Sequence, residues 1–517
     1  MLTSITFFPL LAAAILLFLP SRSTEHIRRY VLGVTLIELL LTLALFAGFD
    51  GAKGTMQSVE QYPWITSLGI SYHLGVDGLS LFLLVLMAFL TCLSVIASWH
   101  SVQQNVKAFF FFMLMLETSV IGVFVALDLV LFYVFWEFML IPMYFMIGGW
   151  GGPRRVYAAL KFFIYTIAGS LLMLVAIIAL GVLHNSGAPD FDLLSIMRRG
   201  VQPGDQTWLF LALALAFAVK VPLFPLHTWL PDAYVEAPTP GTVLLACVLS
   251  KVGAYGFLRF CLGLFPAASR DFAPWLATLA VIGILYGAYL ALTRPDMKGL
   301  IAYSSLGHMG FIVLGIFALT PEGIAGSVLQ MVNHGISTGV LFFMVAMMYE
   351  RWGSRLIADF SGLHRAVPVL SLTLFVAALS SISLPGLNGF VGEFLILLGA
   401  FKGYQSAAFS ILGALGVVLA AFYIIYWYRR VFHGPLVTPV MPRSAPAVRD
   451  LSGRELAIVV PCMVLIIFFG IAPGILLDKI DASAQAWAAP NGVRAASAPV
   501  PSHALAALPF VADQHSR

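Results

Sequence analysis

Apolar stretches recur along almost the whole chain, and each is bounded by glycine, proline or charged residues. Each stretch has the roughly 20 residues that an α-helix needs to cross the ~30 Å hydrocarbon layer of a membrane. The composition excludes ordinary soluble proteins, because 60% of the 517 residues are hydrophobic and only 10% are charged. The sequence therefore predicts an all-α polytopic membrane protein with about fourteen transmembrane helices.

Lysine and arginine are divided unequally between the two sets of alternate loops that these spans define. One set, beginning with Arg22, holds sixteen of the 28 basic residues, and the other, beginning with Lys53, holds six. Loops rich in Lys and Arg remain in the cytoplasm, so this split places both termini outside. The first span, Leu2 to Leu19, is followed rather than preceded by arginines, which favours an anchor over a cleaved signal peptide. We expect a multi-pass protein of a bacterial cytoplasmic membrane.

The seventh predicted span places a lysine deep inside an apolar run and then breaks the run with prolines. Lys220 is followed by Pro222 and Pro225 in FAVKVPLFPLHTWLPDAYVEAPTP. A lysine near the bilayer centre costs roughly 3 kcal/mol, so it is normally kept only where a partner or a water-filled cavity receives it. The combination indicates an ion pathway, and a snorkelling lysine beside an ordinary proline kink is the alternative.

More prolines follow the broken seventh span, at Pro231, Pro238 and Pro240. Proline blocks a regular helix because it lacks the backbone N–H and its ring clashes with the preceding turn. We therefore expect a short re-entrant or interfacial segment here.

Other ionisable residues fall at mid-depth in further predicted spans: Glu137 in the fifth, Lys251 in the eighth, His308 in the tenth and His334 in the eleventh. Two close ammonium groups, such as those of Lys220 and Lys251, would repel each other, so one should release its proton easily. Histidines titrate near neutral pH and can pass protons. A structural carboxyl and neutral, hydrogen-bonded imidazoles are the alternatives.

The twelfth predicted span, Val367 to Phe401, is too long for one straight helix and is interrupted at Pro385. Glu393 lies just beyond the break, as Lys220 lies just before the break in the seventh span. Two broken helices in corresponding halves are typical of inverted-repeat transporters. We therefore predict two inverted five-helix repeats, formed by spans four to eight and nine to thirteen, with spans seven and twelve broken.

The chain is accordingly divided into four parts. The predicted boundaries are 1–106 for the first three spans, 107–266 for the first repeat, 267–433 for the second repeat, and 434–517 for a cytoplasmic loop, the last span and an Ala/Pro-rich external tail. We expect most of that tail, from AQAWAAP onward, to be loosely packed.

Five further charged residues lie in or next to the predicted spans. Asp77 in HLGVDGLSL is predicted to cap the third span. Lys161 is predicted to snorkel, and Arg259 to reach an interface from the end of the eighth span. Glu38 and Glu117 lie in the second and fourth spans. For Glu38 a buried protonated carboxyl and a relay member both remain open, and no role is assigned to Glu117.

The four cysteines, Cys92, Cys247, Cys261 and Cys462, stand singly in apolar runs. Neither a CxxC pair nor a Rossmann glycine fingerprint is present, so we expect no iron–sulfur cluster, zinc, flavin or NADH in this chain. The basic residues follow the membrane topology, so no nucleic-acid partner is expected.

The chain resembles the antiporter-like subunits of respiratory complex I over roughly Leu68 to Gly434. The resemblance is carried in order by HLGVDGLSL, AFAVKVPLFPLHTWLPDAYVEAPTP, LSKVGAYGFLRF, MKGLIAYSSLGHMGF, VNHGISTGVLFF and LPGLNGFVGEF. Within that family it is most similar to the M type, also called chain 4, because Glu393 stands where the L and N types carry lysine. The chain also leaves no room for the long lateral helix of the L type.

The resemblance implies a proton-translocating membrane-arm subunit of NADH:quinone oxidoreductase, a translocase subunit without a redox centre of its own. It implies that Glu137 pairs with Lys220, and that Lys251 leads through histidines to the residue at the break of the twelfth span. Flavin, iron–sulfur clusters and quinone would lie in other subunits. The expected partners are other membrane-arm subunits, especially the L and N types, together with lipids and protons.

Two other classes of function stay open. One is a subunit of a cation/proton antiporter or of an energy-converting hydrogenase, which have related membrane subunits. The other is a scaffold whose buried charges only fix helix packing.

Overall fold

The computed structural model describes residues 1–182, 188–439 and 449–489, and helices dominate these ranges. The helices are α1 Leu2–Leu16, α2 Thr24–Gly48, α3 Leu81–Ser101, α4 Val106–Val125, α5 Leu129–Phe138, α6 Leu140–Trp150, α7 Arg155–Val182, α8 Leu193–Arg199, α9 Pro203–Lys220, α10 Trp229–Glu236, α11 Thr239–Leu264, α12 Pro266–Leu292, α13 Met297–Ile316, α14 Pro321–Trp352, α15 Pro368–Ser381, α16 Asn388–Gly403, α17 Ala408–Phe432, α18 Gly453–Ile471 and α19 Gly474–Ala488. Short 3-10 turns cover Thr66–Leu68, Ile357–Asp359 and Leu363–Arg365.

Within the described ranges, 11 helical segments are long and apolar enough to cross a membrane, with α5 and α6 together forming one of them. This confirms the all-α polytopic class. The other three predicted spans correspond to shorter helices, namely α1, the pair α9 and α10, and the pair α15 and α16. The total of about fourteen spans and the inverted repeats stay predictions.

A β-hairpin lies between α2 and α3, where the sequence predicted only a polar segment. Strand β1, Gln57–Ile65, pairs antiparallel with β2, Ile70–Val76, and Gly69 turns between them with a φ of 68°. The hairpin also caps α1, because the Glu60 carboxylate accepts hydrogen bonds from the backbone N–H groups of Leu2 at 2.8 Å and Thr3 at 3.0 Å. These N–H groups have no acceptor inside their own helix.

The hairpin side of the molecule gathers both ends of the described chain. The Met1 amino group is 2.5 Å from Glu60, and near the other end Ser483 Oγ accepts from the Gly78 N–H at 3.0 Å. Helix α19 corrects part of the predicted loose tail, since the AQAWA residues are helical and Trp487 is buried. The remaining predicted tail, residues 490–517, and residues 440–448 of the predicted cytoplasmic loop lie outside the described residues.

The seventh predicted span is broken where the prolines stand, as expected. Helix α9 ends at Lys220 and α10 starts at Trp229, whose Nε1 donates to the Val219 carbonyl at 2.8 Å across the break. The expectation that Pro231 prevents a regular helix was wrong. Pro231 falls in the first turn of α10, where a backbone N–H would have no acceptor within the helix.

The twelfth predicted span is also broken, between Ser381 and Asn388. Gly386 adopts a φ of 92° in the break, a left-handed conformation that favours glycine. The Asn388 side chain spans the gap, because its Oδ1 accepts from Ser380 Oγ at 2.5 Å. Each break therefore separates a pair of helices inside the membrane and leaves polar backbone beside an ionisable residue.

Helix α11 contains two π-helical segments, Leu245–Leu249 and Phe257–Cys261, which the sequence did not predict. The α-helical turns between them, Ser250–Gly256, carry Lys251. Single π-helical turns inside α-helices occur frequently at functional sites. Helix α11 thus presents Lys251 from a short segment with irregular backbone on both sides.

Candidate functional site

Lys251 and His334 are in direct contact at the centre of the described bundle. Lys251 is fully buried, its Nζ lies 2.6 Å from His334 Nδ1, and it donates to the Ala246 carbonyl at 2.8 Å. Helix α14 supplies His334 and α11 supplies Lys251. The second ring nitrogen, His334 Nε2, is buried and makes no hydrogen bond to any described residue. It is therefore available to a further proton donor or acceptor.

Two further titratable residues, His308 and Glu393, extend the Lys251–His334 contact into a string of four buried groups. The two imidazole centroids are 5.3 Å apart, and His308 Nδ1 lies 2.9 Å from Glu393 Oε1. Gln330 Nε2 also donates to this carboxylate oxygen, at 3.0 Å. Glu393 is only 3% exposed. Four predicted site residues are thus brought together as Lys251–His334–His308–Glu393, from four different helices.

A small cavity of about 10 Å³ adjoins the two histidines. Eight of its nine lining residues have polar side chains, and they include Gln330, Asn333, Ser337, Thr338 and Ser380. A polar cavity of this order holds about one water molecule. One water molecule there would pass a proton between the two imidazoles, which share no hydrogen bond in the described structure.

Lys220 occupies a different environment from Lys251. It is fully buried, and its Nζ donates no hydrogen bond to any residue that the structure describes. The ammonium instead lies 5.1 Å from the ring centre of Phe162 and 5.6 Å from that of Trp136. Such cation–π contacts offset part of the cost of burying a cation.

Glu137 lies near the outer surface of the helical bundle. It is half-buried, and its neighbours Val134 and Ile141 are 44% and 45% exposed. One buried carboxylate oxygen of Glu137 has no hydrogen-bond partner within the described ranges, although its charge acts on Lys220. The pairing implied by the resemblance is therefore electrostatic in this structure rather than a hydrogen-bonded contact.

The helices that carry Lys220 and Lys251 touch at Gly253. A Cβ atom at Gly253 would lie 2.8 Å from both the Phe217 carbonyl oxygen and the Val221 nitrogen. The absence of a side chain lets α11 approach the backbone at the end of α9. The two lysines therefore stand on adjoining backbones, although no hydrogen bond joins them in the described structure.

Arg259 forms a buried ion pair that the sequence analysis missed. We expected it to reach an interface, but it is fully buried and grips Asp77 with two hydrogen bonds of 2.6 and 2.7 Å. Its Nε donates to Tyr255 OH at 2.9 Å, and Trp487 packs 4.9 Å from its guanidinium. Asp77 is not the N-cap that we predicted, because α3 begins at Leu81 with Ser80 as its N-cap; Asp77 Oδ1 instead accepts from the Leu79 and Ser80 N–H groups in the turn ahead of the helix. The pair is saturated and structural.

Basic residues also hold the short helix α10. Lys161, which we expected to snorkel, pairs with Asp232 at 2.8 Å instead. Lys298, in the first turn of α13, is buried, and its Nζ donates to the Ala237 carbonyl at 2.6 Å. A cation at the C-terminal end of a helix interacts favourably with the helix dipole. Residues from both predicted repeats thus position the helix that follows Lys220.

Glu38 and Glu117 lie outside this string. Both are fully buried, and none of their carboxylate oxygens has a hydrogen-bond partner among the described residues. They lie on α2 and α4, two helices that are in contact. Their role stays open.

A helical membrane protein with two broken helices and a buried Lys–His–His–Glu string belongs to the class of ion-translocating membrane proteins. The comparisons narrow the class. Residues 126–420 match the family model described as NADH:quinone oxidoreductase/Mrp antiporter, transmembrane region. NADH-quinone oxidoreductase subunit M of Rhodobacter capsulatus is 42% identical over 93% of this chain and 95% of its own length. The chain belongs to the NADH-quinone oxidoreductase subunit M family.

Solved structures agree with this assignment. A chain of respiratory complex I from Thermus thermophilus is 33% identical, has a TM-score of 0.85, and is matched over 94% of this chain and 99% of its own. A chain of the Mrp complex from Dietzia has a TM-score of 0.84 at 20% identity, over 96% of this chain and 99% of its own, which shows a shared fold alone.

Proposed function

We propose that this chain moves protons across the membrane along Glu137, Lys220, Lys251, His334, His308 and Glu393, coupled to quinone reduction elsewhere in its complex. The observation that carries the proposal is the unbroken order of titratable groups from Lys251 to Glu393. Membership of the subunit M family supplies the complex, and the buried string supplies the route for the proton.

Each step of the proposed relay exchanges one N–H or O–H bond for another. The Lys251 ammonium gives a proton to His334 Nδ1, and the proton held on His334 Nε2 moves, through water, to His308 Nε2. His308 passes a proton from Nδ1 to Glu393 Oε1, which is 2.9 Å away. Hydrogen-bond distances of about 2.6 to 3.2 Å are the separations at which side chains act as general acids and bases.

Lys220 is a member of the relay in our proposal, and Glu137 gates it. The ammonium of Lys220 has no anionic partner within hydrogen-bond reach among described residues, so its protonation is sensitive to nearby charge. Glu137 supplies that charge from near the outer surface of the helical bundle. When the carboxylate charge of Glu137 no longer acts on Lys220, the ammonium gives up its proton more readily. At the other end of the relay, Glu393 exchanges protons with the external side.

The wider setting follows the family and the charge distribution. We infer that the chain lies in a bacterial cytoplasmic membrane with both termini outside, because the basic loops define the cytoplasmic face. Its neighbours are lipids and other membrane-arm subunits, including the L and N types. Flavin, iron–sulfur clusters and quinone lie in other subunits of the complex, and this chain contributes no redox centre.

The test is Lys251→Ala in membrane vesicles with matched amounts of assembled complex. Proton uptake driven by NADH is expected to fall at least about tenfold. The reason is that the variant removes the Nζ atom that contacts His334 Nδ1. Lys479→Ala is the matched control, since Lys479 bonds the Phe49 carbonyl at 2.7 Å far from the string. Wild-type pumping by Lys251→Ala would overturn the relay.

A second measurement separates the proposed function from an antiporter or a scaffold. The chain is expected to co-purify with flavin and iron–sulfur subunits, which an independent cation/proton antiporter does not require. Pumping that survives neutralisation of every charge in the string, in an assembled complex, would instead establish a scaffold.

A further inference from the structure

The route between Lys220 and Lys251 is the part of the string that lacks a named carrier. From Lys251 onward each group meets the next directly or across a cavity of about one water. Lys220 has no hydrogen-bond partner among the described residues. A proton that passes between the two lysines needs an intermediate group close to both.

Tyr234 carries a buried hydroxyl on α10, the helix that follows the Lys220 break, and the neighbours of this hydroxyl are on the Lys251 side. Its hydroxyl lies beside the hydroxyls of Ser250 and Ser305 but makes no hydrogen bond of standard geometry to a described residue. Ser305 Oγ is buried and unpartnered in the same way. Buried tyrosine hydroxyls usually have a partner, so this one is unusual.

Ser250 connects the Tyr234 hydroxyl to Lys251. Ser250 Oγ and Lys251 Nζ both donate to the same acceptor, the Ala246 carbonyl, each at 2.8 Å. The two donors therefore share one oxygen and lie side by side. A proton that reaches Ser250 is within one rearrangement of Lys251, and through Lys251 of His334.

The other end of the gap is bounded by aromatic residues that Lys220 and Tyr234 share. Lys220 Nζ lies 5.1 Å from the Phe162 ring centre, and that ring lies 5.3 Å from Trp229. Trp229 bonds the carbonyl of Val219, next to Lys220, and its ring is 6.4 Å from Tyr234. The packed rings of Phe162 and Trp229 thus connect the surroundings of Lys220 to those of Tyr234.

We propose that the Tyr234 hydroxyl carries the proton between Lys220 and Lys251, with Ser250 and Ser305 as its hydrogen-bonding neighbours. This inference rests on the proposed function and names a further residue for it. An N–H bond of the Lys220 ammonium breaks as an O–H bond forms on Tyr234 or on water beside it. The original O–H proton of Tyr234 passes along the serine hydroxyls to the Lys251 amine. One proton enters and one leaves, and the reverse direction uses the same bonds.

The decisive variant is Tyr234→Phe in the intact complex, because it removes one oxygen and keeps the ring that packs against Trp229 and Phe342. NADH-driven proton uptake per assembled complex is expected to fall about tenfold, since positioned proton-transfer groups typically contribute about 10² to 10⁴ in rate. The residual uptake should also slow more in D₂O than that of the wild type, a response that a packing defect does not produce.

Tyr404→Phe is the matched control. Tyr404 is a partly buried tyrosine whose hydroxyl donates to the Leu314 carbonyl at 3.3 Å, away from the lysines. It is expected to pump like the wild type with an unchanged isotope effect.

Comparison with Lys220→Ala distinguishes the two levels of the proposal. Normal pumping by Tyr234→Phe together with defective Lys220→Ala would overturn the role of Tyr234 and leave the relay intact. Normal pumping by both variants would overturn the relay as well. If Tyr234→Phe lowers assembly, the double variant Ser250→Ala, Ser305→Ala tests the same route without altering the ring. A reduced rate there supports the proposal, and an unchanged rate overturns it.

Discussion

Lys251 and Lys220 are both buried, but their ammonium groups have different kinds of neighbours. Lys251 contacts a carbonyl at 2.8 Å and the His334 imidazole at 2.6 Å, and the polar string continues across a 5.3 Å separation of ring centres to His308, which lies 2.9 Å from Glu393. Lys220 faces aromatic rings and feels a carboxylate that it does not touch. The Lys251 side is already connected for proton transfer, whereas the Lys220 side can be altered by small movements of Glu137.

The two regions also differ from the saturated Arg259–Asp77 pair. There every charge is met by fixed donors and acceptors, so neither group is free to exchange a proton. A fully paired charge stabilises the fold, and a partly paired charge is available for function. Variants of the three regions should therefore fail in different ways.

The largest effect is expected for Asp77→Ala, because it leaves the Arg259 guanidinium buried without its counter-charge. Breaking a buried pair by removing one partner typically costs about 3 to 5 kcal/mol. The amount of assembled complex, measured by native gel, should fall sharply. The double variant Asp77→Leu, Arg259→Met removes both charges and should recover assembly. A double variant as poor as the single one would mean that Asp77 acts mainly through its hydrogen bonds to the turn ahead of α3.

Lys220→Ala should spare assembly and lower NADH-driven proton uptake by about tenfold or more, because it removes a relay group without leaving a described partner unpaired. Quinone-linked NADH oxidation should fall with it, since an interrupted relay cannot complete a coupled cycle. Lys402→Ala, which breaks an exposed pair with Glu322, is the control. An assembly defect in Lys220→Ala would place this lysine with Arg259 rather than with Lys251.

Variants of Glu393 should be graded. Glu393→Gln keeps the size of the side chain and the acceptor toward Gln330 but cannot take up a proton, so pumping should be lowest. Glu393→Lys restores a titratable group of the kind found in the L and N types and should keep part of the activity. The expected order of proton uptake is wild type, Lys, Gln, at equal assembly. A Gln variant equal to the wild type would assign the break at Asn388 to water access or packing.

The smallest effect is expected for Glu137, because it acts on Lys220 across a distance rather than by contact. Glu137→Gln removes the charge and should lower proton uptake by several-fold, less than Lys220→Ala does. Glu137→Asp keeps the charge and should be milder still. Equal rates for the two variants would show that the Glu137 side chain has a packing role and that its charge does not affect the protonation of Lys220.

The sequence by itself determined the membrane class, both helix breaks and the residues of the string. These features are local: apolar runs of span length, prolines inside them, and charges that hydrocarbon does not tolerate without a reason. Lys220, Lys251, His308, His334 and Glu393 were recognisable for that reason alone, before any contact between them was known.

Only the tertiary structure decided which charges meet. Asp77 and Arg259 are 182 positions apart, and no local pattern connects them. Lys161 pairs with Asp232 on another helix. Pro231 lies in the first turn of α10, which tolerates proline. Glu137 lies near the outer surface of the helical bundle. Tyr234 looked like an ordinary aromatic residue until α10 folded back against α11. Such outcomes depend on which helix faces pack together, and packing is set by the whole bundle rather than by the neighbouring residues in the chain.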